Sequence, residues 1–274
     1  MYIKGDNLEV NTQRISLILF FSIFYLTGCS TVNSFLGIDR TKDFRGSLEV
    51  MSDRDFLDQI DHFSELFRSS GEFEVINLEG RGFEYLNSVY QNLVMNNEIL
   101  ITSPQRPRFF IVSSKIPFHF SVPRGDYFFS TGLIDKYLRN EDLFVAMFAT
   151  EVIKSNLGVF QKREMVPVGY IGLEKILQYL RVPLEVKNEL NKWAYDVIRR
   201  GGYDQAALLN WLQLQNKNSL DFSLQVGDVR QISREEFAFK NFIVTELRDG
   251  IIRGGSINAS TEFYYFMDIV RRNL

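Results

Sequence analysis

Few residues of this 274-residue chain have the chemistry for catalysis or metal binding: it holds two histidines, His62 and His119, and one cysteine, Cys29. A hydrolytic zinc site draws three protein ligands from imidazole, thiolate and carboxylate and keeps a fourth position open. No cluster with ligand spacing can be assembled from that inventory, so no cofactor is expected. Ser113-Ser114 and Ser130-Thr131 offer hydroxyls, but a serine nucleophile needs a positioned base, and no histidine stands near them in sequence. His119 alternates with Phe118 and Phe120, the pattern of a half-buried sheet histidine more than of a catalytic base. A pair of carboxylates could act as acid and base, but only with shifted pKa values.

Cys29 points to a different chemistry. An uncharged run from Ile15 to Thr27 follows Lys4 and Arg14 and ends in Leu26-Thr27-Gly28-Cys29. Such a run is too short to span a bilayer, which takes roughly 20 apolar residues, but has the length of a signal-peptide core. The four residues resemble the lipobox of bacterial lipoproteins, which implies diacylglycerol transfer to the Cys29 thiol and cleavage just before it. The competing reading is a short uncleaved anchor, to which Asp6 and Glu9 lend weight. Against it, the only cysteine of the chain sits where lipidation needs it. The expected partner is therefore a membrane, through the lipid, in the cell envelope. In many enterobacterial lipoproteins an aspartate after the cysteine retains the protein at the inner membrane; under the same sorting rule, Ser30 implies the periplasmic face of the outer membrane over the inner membrane.

The elements that would position the remaining residues follow from periodicity. Residues 1–28 read as signal and 29–50 as tether, leaving 51–274 as a single domain of ordinary core size. Ser52 with Asp55 opens a helix carrying Phe56, Ile60, Phe63 and Phe67, and a second begins near Arg81. Strands are expected over Arg108–Val112, Phe118–Val122 and Tyr127–Ser130, the last two joined by the turn Pro123-Arg-Gly-Asp126. Helices follow from Asn140 to Ser155, Gly169 to Leu180, Leu184 to Arg200 and Gln205 to Gln215, with Asp204 capping the last. Ser233 with Glu236 reads as a capping box for a helix ending near Gly250, and Ser260 precedes a final helix from Thr261 to Arg272. The fold class is α+β, mainly helical with a small sheet or hairpin. The net charge of −3, with basic residues scattered, excludes an electrostatic footprint for nucleic acid.

The strand and turn Phe120-Ser-Val-Pro-Arg-Gly-Asp-Tyr-Phe-Phe-Ser-Thr-Gly-Leu133, a short helix, then an alanine-containing helix with a central glutamate, resemble the zinc metallopeptidases of family forty-eight. These include the CAAX prenyl endopeptidases and the HtpX-like and BepA-like proteases. The likeness covers about residues 80–216 and implies a zincin-like domain. Phe120, Pro123, Gly125, Gly132 and Leu133 keep the family spacing. The helix reads Met147-Phe-Ala-Thr-Glu-Val-Ile-Lys154, so Ala149 and Glu151 match the Ala-His-Glu-x-x-His motif. Thr150 and Lys154 stand where its two histidines belong. When Gly202-Tyr-Asp204 is set on the family's Gly-Tyr-Asp, Glu189-Leu-Asn191 falls on Glu-Ala-Asp and the third ligand position on Lys187.

A hydroxyl and two ammonium groups cannot hold zinc as the motif does, and without the ion a vestigial Glu151 has no water to activate. The resemblance thus implies a catalytically inactive, metallopeptidase-like envelope lipoprotein that binds or scaffolds a polypeptide, with an envelope protein as partner. The candidate cleft residues are Glu151, Lys154, Lys187, Glu189 and His119. Two placements of the lysines are open. Either Lys154 and Lys187 are fixed cations in the old metal region, paired with Glu151 or Glu189, or Lys154 snorkels to solvent and Glu151 is a surface residue. Two other classes stand beside the binding protein: a hydrolase acting through an unrecognised site, with Glu151 and Glu189 as acid and base, and a structural lipoprotein with no cleft.

Overall fold

Phenylalanines three and four residues apart wind the chain into α1 (Asp53–Ser69), whose Phe56, Ile60, Phe63 and Phe67 are all buried. The structure, a computed structural model, describes residues 53–161, 171–246 and 259–273. The signal segment, Cys29, the tether, Ser52, Gly169 and Gly250 lie outside the described residues. The described residues from Asp55 onward belong to one compact unit. No helix among the described residues is long and apolar enough to cross a membrane.

After α1 come β1 (Val75–Asn77), α2 (Gly80–Met95), β2 (Arg108–Val112), β3 (His119–Val122), a single 3-10 turn over Pro123–Gly125, and β4 (Asp126–Ser130). The expected hairpin forms: β3 and β4 are antiparallel, with His119 opposite Phe129 and Ser121 opposite Tyr127. Its turn places Arg124 at φ 68° and Gly125 at φ 95°. Gly125 suits that left-handed backbone, and an added Cβ there would meet the Arg106 carbonyl oxygen at 2.7 Å. The sheet order is β1-β2-β4-β3, mixed, because β2 runs parallel to β4 while β1 is antiparallel to β2. The strand β1 is absent from the sequence expectation, since three residues are too few to show a period.

All three longer strands are buried on both faces, hence their nearly continuous aromatic sequence. Phe110, Val112, Phe118, Phe120 and Phe128 pack under α1 and under α5 (Leu173–Leu180). Phe109, Ile111, Tyr127 and Phe129 face the larger core built on α2 and on α4 (Glu141–Asn156). Because side chains alternate, His119 and Ser121 of β3 lie on the face that looks toward α4. Between β4 and α4 lies α3 (Thr131–Tyr137), capped by Ser130, whose Oγ accepts from the Leu133 and Phe118 backbone N–H groups. Gly132 sits so close to the 114–115 backbone that an added Cβ would lie 2.4 Å from the Lys115 carbonyl oxygen.

Asn140 caps α4, its Oδ1 accepting from Asp142 and Leu143. The helix is buried nearly all round from Phe144 to Ser155, as befits an element at the centre of a core. Around it lie α6 (Leu184–Arg200), α7 (Ala206–Lys217), the one-turn α8 (Ser223–Val226), α9 (Arg230–Glu246) and α10 (Thr261–Arg272). Asp204 accepts from the Ala206 N–H, and Ser260 caps α10 by accepting from Phe263. The expected capping box at Ser233 is corrected: α9 begins at Arg230, whose N–H bonds Asp228 Oδ1. Ser233 lies inside the helix with its hydroxyl turned back to the Arg230 carbonyl. The fold is mainly helical α+β with a four-stranded mixed sheet.

Candidate functional site

The polar face of β3 meets the middle of α4 at Glu151. His119 Nδ1 donates to Glu151 Oε1 at 3.0 Å, Ser121 Oγ donates to Oε2 at 2.6 Å, and Lys154 Nζ donates to Oε2 at 3.3 Å. Glu151 and Lys154 share a helix face at a spacing of three, so their pairing is local. His119 and Ser121 reach the same carboxylate because they are two apart on a strand. Glu151 is only 5 % exposed and Lys154 7 %. Burial pushes the Glu151 carboxyl up, but the Lys154 ammonium, then His119 and the Ser121 hydrogen bond, outweigh it. The group ends well below the usual carboxylate range. The Lys154 ammonium also lies 5.3 Å from the centre of the Phe160 ring.

A second pair stands across the cleft. Lys187 Nζ on α6 lies 3.4 Å from Glu235 Oε2 on α9, and Asn191 Nδ2, one turn on from Lys187, donates to Glu235 Oε1 at 2.8 Å. Thr150 also lines the cleft, its hydroxyl taken by the Met147 carbonyl at 2.6 Å. Thr150, Glu151, Lys154, Lys187 and His119 thus line one partly open cleft with a cavity of about 80 Å³. That is room for a few waters or one side-chain end. Trp211 forms part of the wall, its ring 6.1 Å from that of His119.

Glu189 does not join them. It is exposed on α6 and pairs with Lys192 at 3.3 Å. The reason is helical geometry: Glu189 is two residues from Lys187, roughly 200° around the helix, whereas Asn191 at four is on the same side. Glu235 holds the place that Glu189 was expected to take. His62 is also remote from the chemistry, exposed on α1 with Nδ1 donating to the Asp58 carbonyl at 2.6 Å. Ser130 and Thr131 serve the backbone, Thr131 Oγ1 donating to the Ser114 carbonyl.

Two features of the site had no sequence signal. Among the described residues His119 Nε2 is buried without a hydrogen-bond partner. The other is Gln225 on α8, whose side-chain amide bonds both backbone groups of His119. His119 N–H donates to Oε1 at 3.2 Å and Nε2 donates to the carbonyl at 2.7 Å. Arg181 holds α8 in place by donating to the Leu224 and Gln225 carbonyls at 2.7 and 3.2 Å. Among the described residues no three of histidine, cysteine, aspartate and glutamate come together as a metal ion would need. No protein-family model matches the chain, and a comparison with curated proteins finds none that matches it.

Proposed function

We propose that this protein is a catalytically inactive, metallopeptidase-like lipoprotein of the bacterial cell envelope, which binds a polypeptide by taking one of its side chains into the cleft between α4, α6 and α7. The observation that carries the reading is the state of Glu151. A carboxylate that accepts from an ammonium, an imidazole and a hydroxyl is held far below neutrality, and a general base works best with a pKa near the operating pH. Lys154 and Lys187, each beside its own carboxylate, give the cleft fixed charges of both signs. Such charges orient a bound group without a removable ion. The family resemblance around Glu151 supplies the rest of the reading, and a lipid on Cys29 would hold the domain at a leaflet.

A hydrolase remains as the second reading, favoured by one observation. An imidazole with Nδ1–H fixed by a carboxylate and Nε2 open has the arrangement of a general base. One set of measurements separates the two. Trp211 lines the cleft and the only other tryptophan is Trp193, so a Trp193→Phe variant reports on the cleft by its fluorescence. Titration with unfolded polypeptides is expected to shift that emission saturably, with near-zero zinc retained after incubation and gel filtration. Cleavage of the polypeptide, lost on His119→Ala, would overturn the binding reading in favour of the hydrolase. For the anchor, Cys29→Ser is expected to abolish labelling of the protein by a fatty acid and to release it from the membrane fraction. Unchanged labelling would sink the lipoprotein assignment.

A further inference from the structure

On the far side of α4's N-terminus lies a cavity of about 600 Å³, several times larger than the cleft at Glu151. It is bounded by α2, the start of α4, the Gly202-Tyr203 corner between α6 and α7, and the start of α10. Small-molecule sites fall in this size range. Four carboxylates line it, those of Glu84, Glu141, Asp142 and Glu262, against one guanidinium, that of Arg81. None of the four meets a lysine, arginine or histidine at ion-pair distance among the described residues. Arg81 itself lies over the Tyr265 ring at 4.5 Å.

First-turn acids at helix starts are common, because the peptide dipoles favour them, and Glu141, Asp142 and Glu262 stand in such positions. That does not account for Tyr85. Its side chain is 4 % exposed, and its hydroxyl makes no hydrogen bond of standard geometry among the described residues, Glu141 being the acceptor that it addresses. Glu141, Tyr203 and Asp142, whose charges act on that hydroxyl, line the same cavity. Glu141 also accepts from the Ser260 N–H at 2.6 Å and hydroxyl at 2.8 Å. The Tyr85 hydroxyl oxygen keeps its lone pairs, which a donor on a ligand would satisfy.

We infer that this cavity is a binding site for an organic cation, an ammonium or guanidinium on a short apolar stem. The charged head would lie among Glu84, Asp142 and the Tyr85 hydroxyl, and the stem against Tyr203 and Tyr265. A bare metal ion is disfavoured, because no three ligating side chains converge among the described residues. Tyrosine faces attract cations, as the Arg81 guanidinium over Tyr265 already illustrates within the chain. Asp142 supports the choice of sign: burial, then the neighbouring Asp204 and Glu141 charges, raise its pKa, a strain that a bound cation would relieve.

The head group could arrive on a free amine or on a basic side chain of a polypeptide, and calorimetry on the full chain distinguishes the sources. Agmatine and a short acetylated, amidated peptide with one central arginine are the probes, with an otherwise identical peptide carrying citrulline as control. Saturable binding of agmatine, or of the arginine peptide alone, is expected, weakening about tenfold with Glu84→Gln and on raising the salt. Glu84 is exposed, so that variant should fold normally. Tyr85→Phe tests the buried hydroxyl, with a loss of several-fold expected. Binding of neither probe, equal binding of the citrulline control, or binding unchanged by Glu84→Gln would overturn the assignment. None of these outcomes bears on Trp211 emission, so this site and the Glu151 cleft stand or fall separately.

Discussion

Replacing Glu151 with alanine is expected to lower folding stability by about 3–5 kcal/mol, the usual result of removing one partner of a buried ion pair. The Lys154 ammonium and His119 Nδ1–H lose this acceptor at once, and the Ser121 hydroxyl keeps only its longer bond, at 3.3 Å, to the backbone carbonyl at position 151. Lys154 is buried with its pair, so its charge cannot simply be handed to solvent. Urea unfolding of the variant beside the wild type measures the effect. A change under about 1 kcal/mol, the size expected for a surface pair, would show that the pair is not internal. Lys154→Ala should destabilise in the same direction, because it leaves the carboxylate uncompensated. The pH dependence has a definite sign. The folded pKa of Glu151 lies below the ordinary value of 4.5, so the unfolded chain takes up the proton first. Its contribution is complete above pH 4.5 and declines as the pH falls below it, until the folded carboxylate is protonated as well. Glu151→Gln should be less stable at neutral pH and should have a flatter profile below 4.5 than the wild type.

Phe128→Ala is expected to cost a similar amount, about 3–5 kcal/mol, through loss of packing instead of charge. The ring is fully buried at the centre of the second sheet face. It stacks between Phe110 at 4.7 Å and Phe120 at 4.5 Å and takes the edge contact of Phe67 from α1 at 5.6 Å. Its removal leaves a cavity under α1, so local opening should fall unevenly. Amides of α1 should exchange with solvent much faster in the variant, while those of α4 change only with global stability. The helix should not detach altogether. Polar contacts also tie it down: Ser64 to Asp126, and Arg124 to Asp58 and Asp61. Asp126 in turn receives both nitrogens of the Arg108 fork at 2.6 and 2.7 Å. Equal acceleration of exchange in both helices would mean that α1 and the sheet open as one unit.

Local signals carried most of the secondary structure. Asn140 and Ser260 cap the helices that they precede in sequence, and the Pro-x-Gly turn joins the two strands that flank it. The mixed topology was not legible, because the parallel pairing of β2 with β4 depends on a tertiary choice and leaves no local pattern. At α9 the helix starts at Arg230, whose N–H bonds the Asp228 side chain, ahead of the capping box read at Ser233. Within the candidate site, Thr150, Glu151 and Lys154 came from the resemblance to the Ala-His-Glu-x-x-His motif. Lys187 came only from the family resemblance. Its true partner, Glu235, is 48 positions away on another helix, a distance over which charge pattern alone says nothing. Gln225 and Trp211 were illegible for the same reason, since their roles exist only once α7 and α8 have packed beside β3.

The capped edge of β3 also bears on how this protein behaves in numbers. A sheet with free edges is a template on which a second copy can add its own strand. Here one edge is β1, three residues long, and the other is β3, where the Gln225 amide occupies both backbone groups of His119. Neither side offers a long, flat row of open N–H and C=O groups. Copies at high concentration would therefore find little purchase for edge-to-edge aggregation, although their strands are among the most aromatic parts of the chain.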